Sequence, residues 1–194
     1  MRGAVRMMGG TKAVRRLPDD TVARVVEAAE ARRTRPEPAA RSEFARRMAA
    51  GKFVVSVEIN PPLGLDPAPC IEAARALKAA GVDVINTADG PRASVRMSNL
   101  ASAVRVQQET GMEVLLHMCT RDRNLLALQA DLLGAHVLGI RNLVVITGDP
   151  PKMGDYPDAT AVYDLDSIDL LGWIDGYNHG VDPTGRPIDE PTRF

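Results

Sequence analysis

At 194 residues the chain has room for one sizeable domain and a short extra segment, and 45% hydrophobic residues suffice for a core. With 24 basic against 25 acidic residues, a net charge of −1 and 4% aromatics, it has neither an overall pull toward nucleic acid or an anionic membrane nor a stacking platform for bases. Two separated cysteines, Cys70 and Cys119, exclude a CxxC zinc or redox pair and argue against a disulfide framework, so a reducing cytoplasm is the expected location. No apolar stretch approaches the ~20 residues that span a bilayer. The basic N-terminus is not followed by the apolar run of a secretory signal.

Residues 1–50 are rich in arginine, with pairs at Arg15–Arg16, Arg32–Arg33 and Arg46–Arg47. Acidic residues are interleaved and Phe44 is the single aromatic among them, so the stretch reads as solvated helix and linker. Asp19 or Asp20 can cap a helix over 21–33, where Val22, Val25, Val26 and Ala29 share one face. Residues 33–40 (RTRPEPAA) have no hydrophobic period and read as a linker. Ser42 and Glu43 open a short helix through Ala50, ended by Gly51.

Beyond Gly51 the pattern changes and repeats. Apolar runs at Phe53–Ile59, Val82–Asn86, Glu113–His117 and Leu143–Ile146 alternate with helical stretches at Ala68–Ala80, Ser98–Thr110 and Arg123–Ala135. The runs start about 30 residues apart, the period of a βα unit. They are continuous rather than alternating, as in parallel strands covered on both faces. Gly81 and Gly111 stand where helix C-caps belong. An open doubly wound sheet and a (β/α)8 barrel both fit; no GxGxxG or GxxxxGK[ST] follows any strand.

In a barrel the chemistry sits at the C-terminal ends of the strands. Here each run ends in polar side chains: Glu58-Ile59-Asn60, Asn86-Thr87-Ala88-Asp89, His117 through Asp122, and Thr147-Gly148-Asp149. Glu58 stands between Val57 and Ile59 and is expected to be buried. It would then be either a structural ion pair or a carboxylic acid that keeps its proton near neutral pH, as a general acid needs. His117 is a structural histidine or a site residue; no metal-ligand spacing surrounds it. Nothing marks Cys119 as an activated nucleophile. Asp149, before Pro150-Pro151, either caps backbone N–H groups or serves the site. Asp122 is the expected N-cap of the helix that follows. His136 and His179 read as structural or solvated.

VSVEINPP, NTADGPRAS, HMCTRDRN, LVVITGDPP and YDLDSIDLL, in that order, resemble the methylenetetrahydrofolate reductase family. The likeness runs over about residues 42–194 and is greatest to the reductase half of the bacterial bifunctional enzyme that also carries a homocysteine methyltransferase domain. It implies an α/β fold, a TIM barrel with noncovalent FAD at the strand ends, reduced by NAD(P)H. It also implies a folate substrate, 5,10-methylenetetrahydrofolate, converted to 5-methyltetrahydrofolate. Through the resemblance Glu58 becomes the general acid that helps open the folate's five-membered ring. Asp149 becomes the carboxylate at the flavin pyrimidine edge and the pterin. Thr87, His117, Thr147, Gly148 and Tyr163 fall where the family contacts FAD, although relatives have arginine in place of Thr147. Gly9-Gly10-Thr11 faintly resembles the methyltransferase's zinc end, but the zinc-binding cysteines are absent, so neither zinc nor methyl transfer is expected.

A complete barrel takes about 250 residues. The expectation here is its N-terminal half, strands one to four, truncated after about four βα units, with residues 1–41 as a helical extension. Residues 176–194 are expected to be the loop before strand five. A half-barrel exposes two sheet edges, which favours self-association into a homo-oligomer. The alternative to an enzyme is therefore a noncatalytic half-barrel that self-associates or needs a complementing half.

Overall fold

The computed structural model describes residues 40–194; the expected helix at 21–33 lies outside them. Helix α1 (Glu43–Ala49) is followed by β1 (Ser56–Ile59), α2 (Ala68–Ala79), β2 (Val84–Thr87), α3 (Asn99–Thr110), β3 (Glu113–Cys119), α4 (Leu125–Val137), β4 (Asn142–Ile146) and α5 (Ser167–Asn178). The strands form one parallel sheet in the order β1-β2-β3-β4, the topology of consecutive βα units and of half a (β/α)8 barrel.

Caps fix the helix starts. Ser42, Ser98 and Asn124 each accept the backbone N–H three residues on, and Asp166 accepts those of Ile168 and Asp169. Asn124, not Asp122, thus caps α4; Asp122 instead binds its neighbour Arg121. Gly111 closes α3 at φ +65, where a side chain would be strained.

Two strands start later than their apolar runs suggest. The N–H of Val82 closes the last turn of α2 on the Leu77 carbonyl, so β2 starts at Val84. The N–H of Val55 donates to the Asp83 carboxylate instead of a ladder partner, so β1 starts at Ser56 and Phe53 is left 91% exposed. Residues 176–194 also differ from expectation. They are not a bare loop: α5 runs to Asn178, and the segment beyond folds back onto it. Asn178 Oδ1 accepts from Thr192 Oγ1 and the Phe194 N–H, and Asp182 Oδ1 accepts from the backbones of Thr184 and Arg186.

Register assigns the two faces. Val57, Ile59, Ile85, Thr87, Val114, Leu116, Met118, Leu143 and Val145 share the face against the helices, where the core lies with Ala74, Ala103, Val106, Leu128 and Leu132. Ser56, Glu58, Asn86, Leu115, His117, Asn142 and Val144 share the other. At the strands' N-terminal end α1 covers this second face. Glu113 accepts the first two N–H groups of α1, Ser42 Oγ donates to Asn142 Oδ1, and Arg47 pairs with Asp83. A carboxylate at a helix N-terminus satisfies orphan donors and complements the helix dipole. Toward the C-terminal end of this face no described helix covers Glu58 and His117, while Cys119 is buried under the turn after β4. Among the described residues no helix is long and apolar enough to cross a membrane.

Leu128 is fully buried, while Leu126, two residues earlier in α4, is 79% exposed. Leu128→Ala should cost about 2–5 kcal/mol in urea unfolding, and Leu126→Ala should stay within about 0.5 kcal/mol of the wild type. Equal costs would contradict the assignment of faces.

Candidate active site

The C-terminal ends of the four strands bring most of the expected site residues to one end of the sheet. Glu58 and His117 lie on its open face, two strands apart. Glu58 is exposed, which corrects the expected burial of this side chain: among the described residues nothing covers the face onto which it points. Its carboxylate and the His117 ring hydrogen-bond to no described residue, so both are available to a ligand. The His117 backbone is fixed, its carbonyl accepting from Asn99 Nδ2 at 2.6 Å. Burial holds the His117 pKa below the ordinary imidazole value, while Glu58 and Asp89 pull it upward. The ring is therefore neutral at pH 7 and can both donate and accept.

Thr87 is placed differently. Its side chain is on the helix face, 1% exposed, with a hydroxyl that finds no partner among the described residues. In this arrangement its side chain offers no surface to a ligand.

The turn after β4 is held from several directions. Thr147 Oγ1 accepts the Ser167 N–H at the start of α5, and the Thr147 carbonyl accepts from Cys119 Sγ and Thr120 Oγ1. Gly148 has φ +94, and a Cβ there would run into Cys119 Sγ, so no other residue fits. Tyr163, itself at φ +44, donates its hydroxyl to the Gly148 carbonyl at 3.3 Å. Asp149 is exposed, and its Oδ2 accepts the Arg92 N–H at 2.9 Å. Both uses of Asp149 left open by the sequence thus remain available: it caps a backbone donor with one oxygen and presents the rest of the carboxylate to solvent. Cys119 is fully buried and burial pushes its thiol pKa up, so it is no activated nucleophile.

A charged network at the same end escaped the sequence reading. Asp89 accepts from the Cys119 N–H and from Arg123 Nη1 at 2.7 Å, and Arg123 also bonds Asp131. Arg121 is 4% exposed and reaches the carbonyls of Gly90 and Asp149. The signal was the dense charge of Arg121-Asp122-Arg123 directly after an apolar strand. That run reads as a helix start until the fold brings Asp89 beside it. Among the described residues no group of three or more His, Cys, Asp or Glu could hold a metal ion.

The lowered pKa of His117 has a consequence for stability. Its folded pKa lies below its unfolded value of about 6.5, so the unfolded chain binds the proton first as pH falls. Stability is therefore full above that value and is lost as pH drops toward the folded pKa. His136 shifts in the same direction, chiefly through burial. Unfolding midpoints between about pH 7.5 and 5 should fall, and His117→Gln should make the fall shallower. An unchanged slope would contradict the burial assigned to this ring.

No curated protein matches the chain. A family model does: that of methylenetetrahydrofolate reductase, over residues 43–182, which takes in every element from α1 to α5 and every site residue above. The parallel βα order and the polar strand ends agree with it. The chain belongs to the methylenetetrahydrofolate reductase family, oxidoreductases of one-carbon metabolism that reduce methylenetetrahydrofolate.

Proposed function

We propose that residues 42–194 use their strand-end surface to bind FAD noncovalently and to take part in the NAD(P)H-dependent reduction of 5,10-methylenetetrahydrofolate to 5-methyltetrahydrofolate in the cytoplasm. The observation that carries the reading is the pair Glu58 and His117, a carboxylate and a neutral imidazole, hydrogen-bonded to no described residue on the open face at the strand ends. Flavin and pterin rings both present edges of N–H and C=O groups, and this donor and acceptor set fits them.

His117, Gly148, Asp149 and Tyr163 would hold the flavin, with Thr147 anchoring the turn. Thr87 could contribute only through its backbone. Bound FAD supplies hydride transfer, the electron chemistry the side chains lack. Glu58 is the general acid: it delivers a proton to a nitrogen of the folate's five-membered ring as the C–N bond there opens. A planar ligand over the open face would exclude water from Glu58. Asp149 accepts from pterin N–H groups with the oxygen not engaged by Arg92.

A second reading is a noncatalytic half-barrel that self-associates or needs a complementing half. It is favoured by the outer edges of β1 and β4, which pair with no strand among the described residues. Beside β4 a cleft of about 520 Å³ is lined by Phe44, Met48, Leu143, Val145, Ile174 and Phe194 among others.

Purified protein supplied with FAD should turn yellow, bleach anaerobically with NADH or NADPH and recover its colour on adding methylenetetrahydrofolate. Glu58→Gln should bleach normally but recover colour about 100-fold or more slowly. Protein that retains no flavin contradicts the enzymatic reading for this chain. Normal recovery in Glu58→Gln contradicts the role of the acid.

A further inference from the structure

Arg121 is the most buried charge at the strand ends, its side chain 5% exposed. Among the described residues the carboxylate hydrogen-bonded to it is that of the adjacent Asp122, half exposed, which binds Nε at 2.7 Å and Nη2 at 2.6 Å. That pair alone gives no reason for burial, because two neighbouring side chains can meet equally well in water, where desolvation costs nothing. What burial adds is Nη1. It donates to the Gly90 carbonyl at 3.3 Å and to the Asp149 carbonyl at 3.2 Å, one from the turn after β2 and one from the turn after β4.

Both turns pack closely on Arg121, the one after β2 against its guanidinium and the one after β4 against its Cβ as well as Cys119 Sγ. A Cβ on Gly90, whose φ is +53, would lie 2.7 Å from Arg121 Nη2, and one on Gly148 would lie 3.3 Å from Arg121 Cβ. The turn after β2 is also strained: Arg92 and Ala93 have φ of +57 and +56, a region that costs non-glycine residues energy and persists only when the surroundings impose it. Further along, the Asp155 carboxylate accepts the Val95 N–H and the Asp155 N–H donates to the Ala93 carbonyl at 3.4 Å, which attaches the loop beyond Arg92 but leaves the residues beside Asp149 to other contacts. Those contacts are the Arg92 N–H to Asp149 Oδ2 bond and the Arg121 fork.

We propose that Arg121 is a positioning residue for Asp149: its guanidinium, oriented by Asp122, clamps the carbonyls of Gly90 and Asp149 together and so sets the direction in which the Asp149 carboxylate faces a ligand. The planar fork suits the task, since one guanidinium serves a carboxylate and two carbonyls at once; a lysine ammonium is a point charge without that geometry. The catalytic meaning of Asp149 rests on the function proposed above, but the clamp itself does not.

The test reads the clamp without any cofactor. In ¹H–¹⁵N spectra of the whole chain, the Arg92 amide reports its bond to the Asp149 carboxylate. Asp149→Asn should displace that resonance. Arg121→Met should displace it in the same direction, and the double variant should show no further displacement than Asp149→Asn alone. Arg121→Lys should fail to restore the wild-type position, while the Leu116 amide in β3 stays in place in every variant. A wild-type Arg92 resonance in Arg121→Met, displacements that add in the double variant, or an Arg92 amide indifferent to Asp149→Asn would each overturn the proposal. Should Arg121→Met not fold, Arg121→Lys decides: a wild-type Arg92 resonance there overturns it. A displaced resonance in a chain that binds no flavin would leave the clamp standing and remove the proposed function, and an unmoved resonance in a flavin-binding chain would do the reverse.

Discussion

The one-sided burial of a four-stranded parallel sheet governs the rest of this structure. Parallel strands are rich in apolar residues because both faces are ordinarily covered. Here α2, α3 and α4 cover one face, and that layer holds the core: Ile85, Leu116, Leu128 and Leu132 are all fully or almost fully buried. Among the described residues the helix over the opposite face is α1, at its N-terminal end, whose first N–H groups rest on the Glu113 carboxylate. What remains is a polar, open surface at the strand C-termini, and Glu58 and His117 stand on it.

That surface is organised by bonds between side chains and backbones rather than by strand pairing. Asp89 holds the Cys119 N–H, Asp149 the Arg92 N–H, Asp155 the Val95 N–H, and Thr147 the Ser167 N–H. The first three join one βα unit to another, and the last ties the turn after β4 to the start of α5. Buried arginine and glycine fill the places where the loops cross, and the left-handed backbone at Arg92, Ala93 and Tyr163 shows that this arrangement overrides local preference. Rigid strand-end turns carrying exposed carboxylates are the arrangement a ligand site needs, because a site is only as well defined as the shell that supports it.

The βα repeat was legible because buried parallel strands leave continuous β-branched runs and glycines close the helices between them. The site end was legible because each run stops in residues an apolar core would not tolerate. Three things were not. The exposure of Glu58 depends on what lies across the open face, which no local pattern contains. The pairing of Arg123 with Asp89 spans 34 residues and exists only through the β2-β3 register. Helix α5 was hidden because Gly172 and Gly176 interrupt its period, and because its apolar residues belong to a motif noted only for its likeness to a family. Thr87 shows what parity places: it pairs with Ile59 and lies two residues beyond Ile85, so its side chain belongs to the core.

The proposed function requires the open strand-end face to receive the flavin. Titrating FAD into ¹⁵N-labelled protein tests it most directly. The amides of residues 58–60, 117–119 and 147–149 should shift together and saturate with one affinity, while the α2, α3 and α4 surfaces stay unchanged. Shifts confined to the helix layer, or none at these strand ends, would contradict it.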